Sequence, residues 1–182
     1  MILNSNKNNY DVSWKDAIEE FFEDFLIFFA PDLYQKVDLD QGFEFEDKEF
    51  NRLFPKSQSK DGPVDKLIKV KLKNGNDKLI LVHVEVQGYY EKDFTRRLFR
   101  YFYRIYDKYQ KNIFTLVIFT DPNKSFKPNQ YRYKFLDTEL SYKYRTYKIL
   151  EQSETDLIKD KNPFAKVILA SLYRIKSKRN IN

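Results

Sequence analysis

The sequence predicts an α/β domain, a mixed β-sheet with helices packed on it. Three observations predict it. First, VDKLIKVKLK (64–73) and KLILVHVEVQ (78–87) alternate in polarity and flank Asn74-Gly75-Asn76-Asp77, which reads as a β-hairpin. Second, EKDFTRRLFRYFYRIYDKYQ (91–110) repeats its apolar residues at helical spacing. Third, IFTLVIF (113–119) is a continuous apolar run ended by Asp121-Pro122, the pattern of a strand buried on both faces.

The remaining elements follow in chain order. SWKDAIEEFFEDFLIFFA (13–30) reads as a helix, with Ser13 as its cap, Asp16, Glu19 and Glu20 in its N-terminal half, and Pro31 after its end. Trp14, Ile18, Phe21, Phe22, Phe25, Phe28 and Phe29 form its apolar face. QGFEFEDKEFNRLF (41–54) begins with strand alternation and passes into a charged segment, and PKSQSKDGP (55–63) is a loop. In the 91–110 helix the buried stripe is Phe94, Leu98, Phe102, Ile105 and Tyr109. SYKYRTYKIL (141–150) alternates as another strand. Asn162-Pro163 caps a last helix, FAKVILASLY, and a basic tail from about residue 174 is expected to fray.

The chain has 182 residues, which is most simply one domain, 1–182, able to bury a core without covalent staples. It has no Cys, which excludes disulfides, thiolate metal sites and a Cys nucleophile and fits a reducing compartment. With His83 as the only histidine, a His-rich metal site is excluded. No apolar run approaches the roughly 20 residues that span a bilayer, and no leader segment is visible, so a cytoplasmic protein without membrane partners is expected. The net charge of +6 hides an uneven distribution: residues 1–60 carry 7 basic and 13 acidic side chains, and residues 61–182 carry +12. Such a basic remainder suggests a polyanionic partner. AT-rich codon drift accounts equally well for part of the Lys excess.

Burial sets the hairpin register. A three-residue loop, Asn74 to Asn76, places Ile68 opposite Val82 and Val70 opposite Ile80. One face is then aliphatic, and Asp65 lies opposite Glu85 on the other. A two-residue loop would drive the Asp65 set into the all-Val face. Two carboxylates with Cβ atoms roughly 5 Å apart repel unless a cation lies between them. A hard ion such as Mg²⁺ (or Mn²⁺) suits them, and Gln87, two residues on, could orient a water or phosphate oxygen. Spacing alone leaves open that the pair is merely hydrated. His83 shares that face and receives no role.

On the following helix, Arg97, Tyr101, Arg104 and Lys108 recur at steps of four, three and four, with Arg96, Arg100 and Tyr103 beside them. Such a stripe can hold phosphates and stack bases, although a solvated helix face has the same pattern. Its start just beyond Glu85 favours the functional reading.

SWKDAIEEFFEDFLIFFAP, GFEFEDKEF, VDKL, HVEVQG, RRLFRYFYRIYDKY, LVIFTDP and NPFAKVILA together resemble the PD-(D/E)XK nuclease superfamily, and more closely its recombination-promoting nuclease/putative transposase group. The resemblance covers about residues 10 to 172. It implies a restriction-endonuclease-like core with a central mixed sheet flanked by helices. It further implies a Mg²⁺- or Mn²⁺-dependent DNA endonuclease associated with recombination or mobile elements. Asp65 and Glu85 become the metal ligands, and Gln87 occupies the position usually held by Lys. A carboxylate from the first helix completes the site, with Glu20 preferred and Glu19 or Glu23 as alternatives. Arg97, Arg100, Tyr101, Arg104 and Lys108 are the expected DNA contacts, and a homodimer is left open. The alternative is a catalytically weak nuclease-fold protein that serves as a nucleic-acid-binding module.

Overall fold

The computed structural model describes residues 14–54, 64–73 and 79–179. The Ser13 cap, the 55–63 loop and the hairpin turn lie outside the described residues. The expected first helix is two segments, residues 14–20 (α1) and Phe22–Phe29 (α2), separated at Phe21, whose ψ of 43° leaves the helical region. Trp14, Ile18, Phe22, Phe25 and Phe29 are buried as the spacing predicts, whereas Phe21 is exposed. A short helix Pro31–Tyr34 (α3) follows, entered through the proline at its first position.

A five-stranded mixed sheet forms the centre, flanked by helices. Its strands are Phe43–Phe45 (β1), Val64–Lys71 (β2), Leu79–Gln87 (β3), Asn112–Phe119 (β4) and Arg145–Lys148 (β7), in the order β1-β2-β3-β4-β7. The first three are antiparallel neighbours, and β3, β4 and β7 run parallel. Parallel neighbours need a crossover, and Phe94–Tyr109 (α5) supplies it between β3 and β4. The charged segment after β1 folds into a helix, Asp47–Leu53 (α4).

The β2–β3 register is the one the apolar pattern predicts: Asp65 pairs with Glu85, Ile68 with Val82 and Val70 with Ile80. Ile68, Val70, Val82, Val84, Leu116 and Ile118 pack on one sheet face under α1, α2 and the C-terminal helix Pro163–Arg179 (α7), which follows the short helix Glu154–Lys159 (α6). That face is not wholly aliphatic. Lys66 lies on it at 1% exposure, bound to Glu19 of α1 and Asp47 of α4. The period-two pattern places Lys66 there; the ion partners that make its burial tolerable come from distant elements.

The opposite face carries two aromatic-rich clusters. Phe50 and Phe54 meet Leu67, Leu81, Tyr101 and Ile105 in one, and Phe94 and Leu98 meet Val117, Phe119, Tyr142 and Tyr144 in the other. β4 therefore contributes alternate residues to both sides, as its continuous apolar sequence requires. In α5 the buried residues are Phe94, Leu98, Tyr101 and Ile105, so Tyr101 replaces Phe102 in the expected stripe.

Two more expectations change. The predicted 141–150 strand is divided at Tyr144 into the end of Thr138–Lys143 (β6) and β7. β6 pairs with Gln130–Phe135 (β5) in a separate hairpin that packs on α5 through stacked Phe99 and Tyr131 rings. β5 escaped sequence reading because most of it is exposed and lacks an aliphatic stripe. The basic tail is helical through Arg179 instead of frayed. The Asn162 cap is present, its Oδ1 accepting from Phe164 N at 2.8 Å. Among the described residues, no helix is long and apolar enough to cross a membrane.

Where β4 ends, Lys148 of β7 donates to Asp121 Oδ2 at 2.6 Å and to the carbonyls of Asp121 and Phe126 at 3.1 and 3.3 Å. Both side chains are almost fully buried. Lys148→Met leaves an uncompensated carboxylate there and should lower stability by about 3–5 kcal/mol. Urea denaturation measures it, and a loss below about 1 kcal/mol would show that the pair is hydrated in solution.

Candidate metal centre

Asp65 and Glu85 face each other on adjacent strands because the register pairs them directly. His83 sits two residues before Glu85 on the same face, diagonal to Asp65. Its Nε2 is 3.7 Å from Asp65 Oδ1 and 4.0 Å from Glu85 Oε2. One ligand atom from each of the three residues lies within 4.8 Å of the others. The cluster is deep: the side chain of Asp65 is 5% exposed and those of His83 and Glu85 are 0% exposed. The sequence left His83 without a role, although its parity with Glu85 was the available signal.

α5 closes the site. Arg97 Nη2 donates to Glu85 Oε1 at 2.6 Å and to Gln87 Oε1 at 3.2 Å. Its Nε and Nη2 also bind Glu91, at 2.9 to 3.1 Å. The guanidinium lies against the rings of Phe94 and Tyr101. Those rings help fix its position. Gln87 Nε2 donates to Tyr89 O at 2.7 Å, so both ends of this amide have protein partners. The His83 ring packs against Phe50 and Tyr101, with centroids 5.4 and 5.9 Å away.

Some polar atoms here have no fixed donor or acceptor: both oxygens of Asp65, Oε2 of Glu85 and both ring nitrogens of His83. Only a proton carried by the carboxyls themselves can link Asp65 to Glu85. Burial pushes the Asp65 carboxyl up to about 6, against the pull of a proton shared with Glu85 and of the Arg97 charge. Burial, then the Asp65 charge, holds Glu85 well above the usual carboxylate range despite Arg97. Burial brings His83 down to about 4, so its imidazole is neutral. Burial works against the Arg97 charge, but Glu85, Glu91 and Asp65 outweigh it and keep the guanidinium ionised. Two carboxyls that retain a proton until a cation replaces it, beside a neutral imidazole, form a donor set that fits a divalent metal ion.

The other expected site residues are distributed differently. Glu20 is exposed and outside the cluster. It is Glu19 that makes a long-range contact, and its partner is Lys66 on the opposite sheet face. Arg97 and Tyr101 belong to the site instead of an open basic face. Arg104 donates to Leu53 O at 3.0 Å, and Lys108 binds Glu49, so these two tie α5 to α4. Of the five expected DNA contacts, Arg100 is exposed and engaged by no described side chain. The spacing located one helix face; it could not show that α4 packs against it. Glu91 lies in the turn before α5, where no periodicity marks it.

No family model, no curated protein and no solved structure matches the chain.

The titrations give the metal-free protein a pH signature. Asp65 and Glu85 have folded values above their unfolded values of 3.8 and 4.5, so their contributions are lost as pH rises through the folded values. His83 falls from 6.5 to about 4, so its contribution is lost as pH falls through about 4. Asp65 and His83 oppose each other between about pH 4 and 6, and Glu85 leaves a net fall in stability above about pH 5. In EDTA, the urea midpoint of wild type should therefore drop more between pH 5 and pH 8 than that of Glu85→Gln. Equal drops would show that Glu85 titrates normally.

Proposed function

We propose that this protein is a divalent-metal-dependent nuclease that hydrolyses phosphodiester bonds in DNA. The observation that carries the reading is the Asp65–Glu85 pair: two directly opposed, buried carboxylates with partnerless oxygens, each offering a ligand atom within 4.8 Å of the other's. The strand order and the α5 crossover are compatible with a restriction-endonuclease-like core. Perturbed carboxyls buried with partnerless oxygens are costly and concentrate at functional sites.

The chemistry divides among the residues. Asp65 and Glu85 hold the cation. When bound, a divalent ion lowers the pKa of an attacking water and neutralises phosphate charge. Arg97 grips Glu85 Oε1 and leaves Oε2 turned towards His83 and Asp65. It also supplies beside Gln87 the positive charge that Gln87 itself does not carry. Gln87 is then a positioning residue, joining the Arg97 guanidinium to the Tyr89 backbone. Arg100, exposed one position before Tyr101 on α5, is the candidate for a backbone phosphate contact.

Supercoiled plasmid incubated with pure protein and Mg²⁺ or Mn²⁺ tests this. Asp65→Asn and Glu85→Gln should lower nicking by about 100-fold or more. Arg100→Ala should instead weaken DNA binding across sequences and reduce the salt slope by about one unit. Equal nicking by wild type and both carboxylate variants would sink the assignment. Salt-sensitive DNA binding with no cleavage under either metal would replace it with the binding-module reading.

A further inference from the structure

We propose that His83 supplies a nitrogen ligand to the cation held by Asp65 and Glu85, so that the centre takes a first-row transition-metal dication in preference to Mg²⁺. The inference rests on the reading of Asp65 and Glu85 as cation ligands.

Four observations carry it. His83 is 0% exposed, yet neither ring nitrogen has a hydrogen-bond partner. A buried imidazole in an ordinary core role satisfies at least one nitrogen. Its Nε2 is directed at the carboxylates, 3.7 Å from Asp65 Oδ1 and 4.0 Å from Glu85 Oε2. Two atoms each about 2.1 Å from one ion lie roughly 3.0–3.4 Å apart at octahedral or tetrahedral angles. The observed separations of 3.7 and 4.0 Å exceed that by roughly 0.3–1.0 Å, a gap that carboxylate rotations can close. The His83 ring packs against the Phe50 and Tyr101 rings on one side, so the smaller adjustment is left to the carboxylates. Finally, Arg97 engages Oε1 of Glu85 and leaves Oε2, the oxygen on the His83 side, free for a metal.

The donor set then decides the class of ion. Mg²⁺ dehydrates reluctantly and keeps several waters in an all-oxygen octahedron. A centre this buried has little room for them, and imidazole nitrogen shifts preference towards transition metals. The pairing of a neutral imidazole with two carboxylates differs from the purely carboxylate pair that the sequence suggested.

Mn²⁺ is the probe, because its electron paramagnetic resonance counts free ion and its electron spin echo modulation detects ¹⁴N in the coordination shell. In the full chain, Mn²⁺ should bind at least about tenfold more tightly than competing Mg²⁺ and should show ¹⁴N modulation. His83→Leu should lose that modulation and about tenfold in Mn²⁺ affinity, with Mg²⁺ affinity little changed. If His83→Leu does not fold, His83→Gln offers oxygen in place of nitrogen and gives the same readout. Asp65→Asn and Glu85→Gln should lose both ions. Absence of ¹⁴N modulation in wild type, modulation that persists in the His83 variants, or equal affinity for both ions overturns the inference. If any of these occurs while the carboxylate variants still abolish binding, the carboxylate centre survives without His83. No ion binding by wild type overturns both readings.

Discussion

The pairing of β2 with β3 is the constraint from which the candidate centre follows. Ile68 and Val70 must lie with Val82, Val84 and Val86 under the α1, α2 and α7 layer, because a shift of one residue would exchange them for charged side chains. Hydrophobic burial on one face thereby dictates polar placement on the other. Asp65 is brought opposite Glu85, and His83 and Gln87 are aligned with them. The parallel strand β4 then covers β3's outer side, with Thr115 beside His83 and Val117 beside Glu85. An open hairpin would leave these groups hydrated; in the interior of a five-stranded sheet they are dry.

That dryness changes the electrostatics. Three carboxyls, Asp65, Glu85 and Glu91, converge near one guanidinium, Arg97. Charges brought together at low dielectric cannot all remain ionised without a compensating cation, so Asp65 and Glu85 resist deprotonation while Arg97 keeps its proton. The flanking aromatic clusters maintain this condition. Phe50 and Tyr101 lie on one side of His83, and Phe94 backs the Arg97 guanidinium. The rings exclude water and hold the polar groups in fixed orientations. An ordinary structural ion pair has no reason to leave this many buried oxygens and nitrogens without partners, and Lys148 with Asp121 shows what a satisfied pair looks like in the same fold.

Legibility in the sequence tracks how local the cause is. Period-two alternation and burial of the aliphatic face set the β2–β3 register and with it the Asp65–Glu85 pairing. Helical spacing located α5, and the Asn162 cap located the start of α7. Failures occurred where an element depends on a remote neighbour. Phe21 interrupts the first helix, β5 and β6 form a largely exposed hairpin on α5, and Lys66 enters the apolar face because Glu19 and Asp47 meet it there. Arg97 was read as a phosphate contact because its spacing matched Arg104 and Lys108. Spacing fixes the angular position of a side chain on its helix and says nothing about what packs opposite.

By itself the sequence determined a mixed α/β sheet and two carboxylates facing one another, because alternation and burial act over a few residues. Only the tertiary structure decided what surrounds them. It assigned Arg97 and Glu91 to the centre, left His83 Nε2 directed at Asp65 and Glu85, turned Glu20 outward, and tied Arg104 and Lys108 to α4. Those outcomes depend on how α4 and α5 dock on the sheet. Docking joins residues far apart in the chain, and it sets the desolvation that no local pattern encodes.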